Sequence, residues 1–333
     1  MHKIGIVTPY WSDITMEELV EYAQLSEELG YDSIWIPEMW GRDAFSLIGL
    51  LAGNTAKIKL ATGIISVFSR TPAIIAQTAG TLDEISDGRI MLGLGTSGPI
   101  VIENWHGIKY DKPLQRTREY VEIIKMALNF ERVNYEGDIF KLKNFKLQFK
   151  PIRSEIPVLV AAIGPKNTFL AGEVADGWIP FLIPLEGLKD ARRHLVEGAK
   201  SAGRDIGEIN ICPYIPSAVS SDEESSKKAL KEHIAYYVGG MGTYYYNTVS
   251  RHGFQDEAAQ ILQAWKTGDR SKACACVSDR MLDSLSIWGS VEKCKELIEN
   301  YRARSVDTPI LLFPPKATRR VVRDTIESLS PCS

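Results

Sequence analysis

Short apolar runs and amphipathic helical stretches alternate along the first half of this chain, and that alternation restricts its fold more than any other feature. Lys3 to Thr8 reads as a strand, Thr15 to Leu29 as a helix, Ser33 to Ile36 as a strand and Ala44 to Thr55 as a helix. Ile58 to Ile65, Pro72 to Ile85, Arg89 to Leu94 and Pro113 to Phe130 repeat the pair twice more. The helices open on recognisable signals, such as Thr15 ahead of Glu17 and Glu18, or Pro72 at a first-turn position. A strand that rejoins its sheet through a helix lies parallel to the strand before it, because the helix carries the chain back to the starting end.

Arg132 to Phe149 interrupts this rhythm with alternating polar and apolar residues around Glu136-Gly137-Asp138, the pattern of an inserted β-hairpin. Pro157 to Ala162 then reads as strand five, Asn167 to Ala175 as a helix, Gly177 to Phe181 as strand six, Leu185 to Ala202 as a helix and Glu208 to Ile215 as strand seven. From Asp222 to about Asp283 the chain is helical but irregular, broken by a run of glycines ahead of Tyr244, Tyr245 and Tyr246. Thr308 to Phe313 supplies strand eight, and Thr318 to Ser328 a closing helix. Eight such units describe an α/β chain folded as a (β/α)8 TIM barrel, a single domain over 1–333 with insertions at about 131–150 and 222–283. The competing doubly wound sheet would carry G-x-G-x-x-G after its first strand, and this chain does not.

Charge and cysteine content narrow the partners. With 39 basic against 42 acidic residues the formal charge is −3, which offers no footprint for nucleic acid. No apolar run approaches the ~18 residues of a membrane span. Five cysteines without a C-x-x-C fit reduced thiols, and a cytoplasmic homodimer acting on a small molecule is the expectation.

In a barrel, ligands collect at the C-terminal ends of the strands. Here those ends read Thr8-Pro9-Tyr10-Trp11, Pro37-Glu38-Met39-Trp40, Gly63-Ile64-Ile65-Ser66, Gly95-Thr96-Ser97-Gly98, Ala162-Ile163-Gly164-Pro165-Lys166-Asn167 and Pro180-Phe181. They contain no cluster of His, Cys, Asp and Glu at metal spacing and no G-x-S-x-G elbow, so a metal hydrolase and a serine hydrolase are disfavoured. A mouth of aromatics, glycines and hydroxyls suits a planar heteroaromatic cofactor. Gly164 to Asn167 opens a helix whose free amides could seat a phosphate, with a plain proline turn as the equal alternative. Glu38 is the candidate acid, crowded by Trp11, Met39 and Trp40, or else an ion-pair partner of Arg42. His106 in Trp-His-Gly reads as a packed helix-cap residue rather than a catalyst. Tyr244 to Tyr246 form either a lid that stacks on substrate or a subunit contact.

Three segments together carry a resemblance: Ala61 to Ile64 running on to Ser69-Arg70-Thr71-Pro72, then Thr81 to Arg89, then Leu92 to Pro99 with Trp105-His106-Gly107. They resemble the luciferase-like monooxygenase superfamily, specifically its coenzyme F420-dependent branch. The hairpin Tyr135-Glu136-Gly137, the turn Ala162 to Lys166 and the run Ala171 to Trp178 are similar as well. The likeness covers most of Lys3 to Phe181 and fades between Asp222 and Asp283.

The resemblance implies a deazaflavin across the barrel mouth and hydride transfer at its C5. It implies a non-proline cis peptide at Gly63-Ile64, with Ser66 and Met39 near the ring. Thr96, Ser97 and Gly98 would meet the ring or ribityl chain, and Gly164, Pro165, Lys166 and Asn167 the phosphate. Arg42, Arg70, Lys112 and Arg116 are the candidates for its anionic tail; Trp11, Trp40 and Tyr245 would meet substrate. A sugar-phosphate dehydrogenase of that family has a histidine where Met39 stands and a glutamate near Gly98, so sugar phosphates are disfavoured. Reduction of methylenetetrahydromethanopterin is the nearest well-defined activity. An FMN-dependent monooxygenase and a non-catalytic flavin-binding protein are the alternatives.

Overall fold

The computed structural model describes residues 3–153, 155–220, 222–315 and 317–332. Eight parallel strands form the barrel: β1 Gly5–Val7, β2 Ser33–Ile36, β3 Lys59–Thr62, β4 Ile90–Gly95, β5 Val158–Ala161, β6 Gly177–Ile179, β7 in two pieces, Asn210–Ile211 and Tyr214–Val219, and β8 Ile310–Leu312. Each strand pairs with its neighbour in chain order, for example Ile6 with Ile34 and Leu60 with Ile90. The two pieces of β7 close the ring, the first on β6 and the second on β8. An isolated bridge between Phe181 and Tyr214 spans the join.

The sequence reading of strand seven as one run, Glu208 to Ile215, is corrected here. Pro213 has no N–H to give the ladder; the pairing switches partner around Cys212-Pro213 and the strand then continues to Val219. A further strand, Ile287–Gly289, lies along the outer end of β7, and the helix Val291–Arg302 returns the chain to β8; neither was read from the sequence. The inserted hairpin is present as Val133–Glu136 against Lys141–Phe145. A buried Glu119 carboxylate fastens it, accepting N–H groups from Asp138, Ile139 and Phe140.

Three apolar clusters build the molecule. Val7, Trp35, Ala61, Leu159, Ile179, Tyr214 and Ile310 fill the barrel interior, and Tyr10, Ile64 and Phe181 pack on that filling from the mouth. A larger cluster joins the strands to the helices outside them, including Met16–Glu28, Ala44–Ala52 and Pro72–Ile85. The first of these helices starts at Thr15, as its start signal implied, with a capping box closed by Glu18. The third cluster lies in the late insertion, where Leu230, Ile234, Phe254, Ile261 and Met281 pack helices against one another beside β7.

Candidate active site

The end of β3 shapes the mouth. The Gly63-Ile64 peptide is cis, and the Tyr214 hydroxyl stands 1.6 Å from where a Cβ on residue 63 would lie. Only glycine fits, because a ring from β7 fills the space. Ile64 then packs over the barrel filling, while Ser66 is buried and its hydroxyl accepts the Phe68 N–H at 3.2 Å.

At the end of β4 the chain turns through Ser97, whose φ of 55° is left-handed. The Thr96 hydroxyl donates to the Ser97 carbonyl at 3.1 Å. Gly98 begins the helix Pro99–Asn104, and no atom lies within 4 Å of a Cβ placed on it. The same is true of Gly164, which precedes the helix Pro165–Val174 after β5. That helix has no side-chain cap, so its first amides are free to meet an anion. The Asn167 amide oxygen beside them is buried and unpartnered. Trp178 in β6 fixes this turn by donating its indole N–H to the Ala162 carbonyl at 2.8 Å.

The structure changes the partner expected for Glu38. Its carboxylate accepts from both terminal nitrogens of Arg70, at 2.6 and 3.0 Å, and from the Ala44 N–H at 2.9 Å. These bonds tie the turn after β2 to Arg70 and to the start of the helix Ala44–Ala52. The partner of Glu38 is Arg70, not Arg42. Arg42 donates instead to the carbonyls of Ile14 and Trp11, and Arg70 also pairs with Asp43. Both guanidiniums thus make bonds within the protein, and Arg42 also lines the cleft described below. Arg116 lies over the Phe68 ring at 4.6 Å, and its buried Nε has no partner. Lys112 sits at the start of the helix Pro113–Leu128 with a left-handed φ.

A cleft of about 1520 Å³ opens beside these strand ends. Tyr10 and Trp11 after β1, with Met39, Trp40 and Arg42 after β2, form one wall. The other comes from the helices Glu223–Gly240 and Arg270–Ala275. Gly98 and Gly164 are not in its lining; they lie at the ends of β4 and β5, so the mouth has two sides. Phe181, after β6, carries an aromatic cluster: Tyr237 at 4.8 Å and Tyr245 at 5.7 Å, both edge-on. Tyr245 is thus packed into the protein's own cluster, half-buried. His233, on the helix Glu223–Gly240, lies 5.0 Å from Tyr237 and lines the cleft. The sequence reading missed it because it falls in the segment where the resemblance fades.

Among the described residues no group of His, Cys, Asp and Glu could hold a metal ion, and no helix is long and apolar enough to cross a membrane. The five cysteines are free; burial pushes the Cys212 thiol up to about 12, far from a reactive thiolate.

A family model for the luciferase-like monooxygenases matches residues 3–308. The chain belongs to the luciferase-like monooxygenase family. The 5,10-methylenetetrahydromethanopterin reductase of Methanolobus tindarius is 34% identical over 284 residues, 84% of this chain and 85% of its own. A Mycobacterium tuberculosis protein with the provisional name coenzyme F420-dependent oxidoreductase is 30% identical over 322 residues, 91% and 93% of the two chains. The structure of the coenzyme F420-dependent tetrahydromethanopterin reductase of Methanopyrus kandleri matches with a TM-score of 0.82 at 25% identity, covering 99% of this chain and 97% of that one.

The segments that carry the luciferase-like resemblance divide between scaffold and site. In Thr81 to Arg89, the fully buried Asp83 pairs with Arg153. Arg89 donates to the carbonyls of Ala52, Thr55, Ile58 and Ser86, closing the end of the helix Ala44–Ala52. That segment ties together the starts of β3 and β4, at the end of the barrel opposite the mouth. Leu92 to Pro99 and Ala162 to Asn167 bring small residues and free amides to the mouth itself.

Proposed function

We propose that this chain is a coenzyme F420-dependent oxidoreductase that reduces a small organic substrate, with methylenetetrahydromethanopterin the substrate its relatives favour. One observation carries the reading: Gly98 and Gly164 face open space at neighbouring strand ends, beside an uncapped helix start and the orphaned Asn167 amide oxygen. Open positions beside free helix-start amides suit a ligand that carries a phosphate.

Coenzyme F420, when bound, supplies the hydride from C5 of its deazaflavin ring. The chain's own residues bind and align. The amides of Lys166 and Asn167 hold the phosphate, with Pro165 fixing the backbone of the turn. Thr96, Ser97 and Gly98 meet the ribityl chain, and Gly63, Ile64 and Ser66 wall the ring. Met39, Trp11 and Trp40 face it from the β1 and β2 ends, and the Tyr245 cluster excludes water. Hydride transfer between two flat reactants needs alignment more than acid catalysis, which agrees with the absence of a free carboxylate among the strand-end residues described above.

The test is turnover. Reduced F420 offered with methylenetetrahydromethanopterin should be oxidised, as followed by deazaflavin absorbance. Oxidation with a secondary carbonyl compound but not with the pterin would keep the cofactor and replace the substrate. Failure to oxidise F420 with any acceptor, together with reduction of FMN, would overturn the proposal.

A further inference from the structure

We propose that His233 is the residue that hydrogen-bonds the substrate, and that the substrate edge it meets belongs to a flat, uncharged heterocycle bearing a ring carbonyl or ring N–H. The proposal rests on the reading of the chain as an F420-dependent oxidoreductase and assigns the side of the mouth opposite the glycine cradle.

His233 is 2% exposed. Neither ring nitrogen has a hydrogen-bond partner, although both are buried. A neutral imidazole carries one donor and one acceptor, and burying both unmade is costly. Apolar residues fill this helix face elsewhere, at Leu230, Ile234 and Val238, so a leucine or phenylalanine at 233 would serve packing better. His233 lies in the cleft lining, where a partner can arrive.

The surroundings define that partner. Tyr10, Tyr236 and Tyr237 line the cleft with His233, and aromatic walls favour a flat ring. Burial pushes the imidazole down to about 3, so it meets ligand as the neutral form and gives no attraction to an anion. In that form, tautomer exchange lets either ring nitrogen donate to a carbonyl or accept from an N–H. The position is also right for the reaction. Phe181, 6.2 Å from His233, packs on the same barrel filling as Ile64 and Tyr10, which brings the histidine's side of the mouth against the cofactor wall.

Calorimetric titration of wild type, His233→Phe and His233→Asn with tetrahydromethanopterin, and separately with F420, tests this. The F420 Kd should stay within twofold in all three proteins. The pterin Kd should rise at least tenfold in His233→Phe and recover partly in His233→Asn, whose amide both donates and accepts. In wild type labelled with ¹⁵N-histidine, the His233 ring resonances should shift when the pterin is added, a readout that needs no variant to fold. Unchanged pterin affinity in His233→Phe, unmoved ring resonances, or a wild type that does not bind the pterin would each overturn the proposal. A wild type that binds the pterin through His233 but ignores F420 would defeat the functional reading alone.

Discussion

Three glycines at the mouth should respond to the same added methyl in opposite ways. Gly164 has φ −99° and ψ 151°, a conformation any residue adopts, and nothing within 4 Å of a new Cβ. Gly164→Ala should therefore leave the free protein as stable as before or better by about 0.4–1 kcal/mol, because alanine restricts the unfolded chain. In a chain of this size that is a rise of roughly 2 °C or less in Tm. Gly98→Ala, at φ −121° and ψ 156°, should behave alike. Gly63→Ala places its methyl 1.6 Å from the Tyr214 hydroxyl and 2.8 Å from the ring carbon that bears it. Neither the barrel strand nor a buried ring can yield that far, so the cost should reach about 3 kcal/mol or more. Binding should separate the variants again. If cofactor lies against Gly164, overpacking of about 1–3 kcal/mol there weakens F420 by roughly 5- to 150-fold. Thermal melts without ligand and fluorescence titrations with F420 read the two effects independently. A Gly164→Ala protein that binds F420 like wild type would refute the cradle, and one that melts much lower would refute the claim that the space is open.

Other expectations follow from the scaffold. Arg89→Met strips donors from four carbonyls and should cost about 3 kcal/mol in urea unfolding, with little change in F420 affinity once folded. Trp178→Phe leaves the Ala162 carbonyl without its donor, which should cost about 1–3 kcal/mol and weaken F420 as the turn before Gly164 loosens. Burial alone would raise the Glu119 pKa, but the Gln115 amide and the N–H groups of Phe140, Ile139 and Asp138 outweigh it and hold the carboxyl low. Its contribution is therefore complete above the unfolded value of about 4.3 and is lost as pH falls toward the folded one. The urea midpoint of wild type should drop on acidification below that value, and that of Glu119→Gln, already deprived, should drop less.

Much of this was legible in the sequence because each signal was local. Thr15 and Glu18 cap a helix within one turn, and the apolar runs that became β1 to β6 needed only their own periodicity. Strand seven was not legible to its end, since Pro213 and Pro216 interrupt a ladder that tertiary pairing to β8 carries through. The same limit applies to Glu38. Its crowding by aromatics was visible, but the arginine 32 positions away that binds it was not. Thr81 to Arg89 carried the resemblance and proved to tie the strand starts together, whereas His233 lay in a segment where the resemblance fades and lines the cleft.

The proposed occupant of this mouth is a deazaflavin. Fluorescence titration of the purified protein with coenzyme F420 and, in parallel, with FMN tests it most directly. Saturable F420 binding at micromolar or lower Kd, with FMN binding at least a hundredfold weaker, is the predicted result. Tight FMN binding with no response to F420 would contradict it.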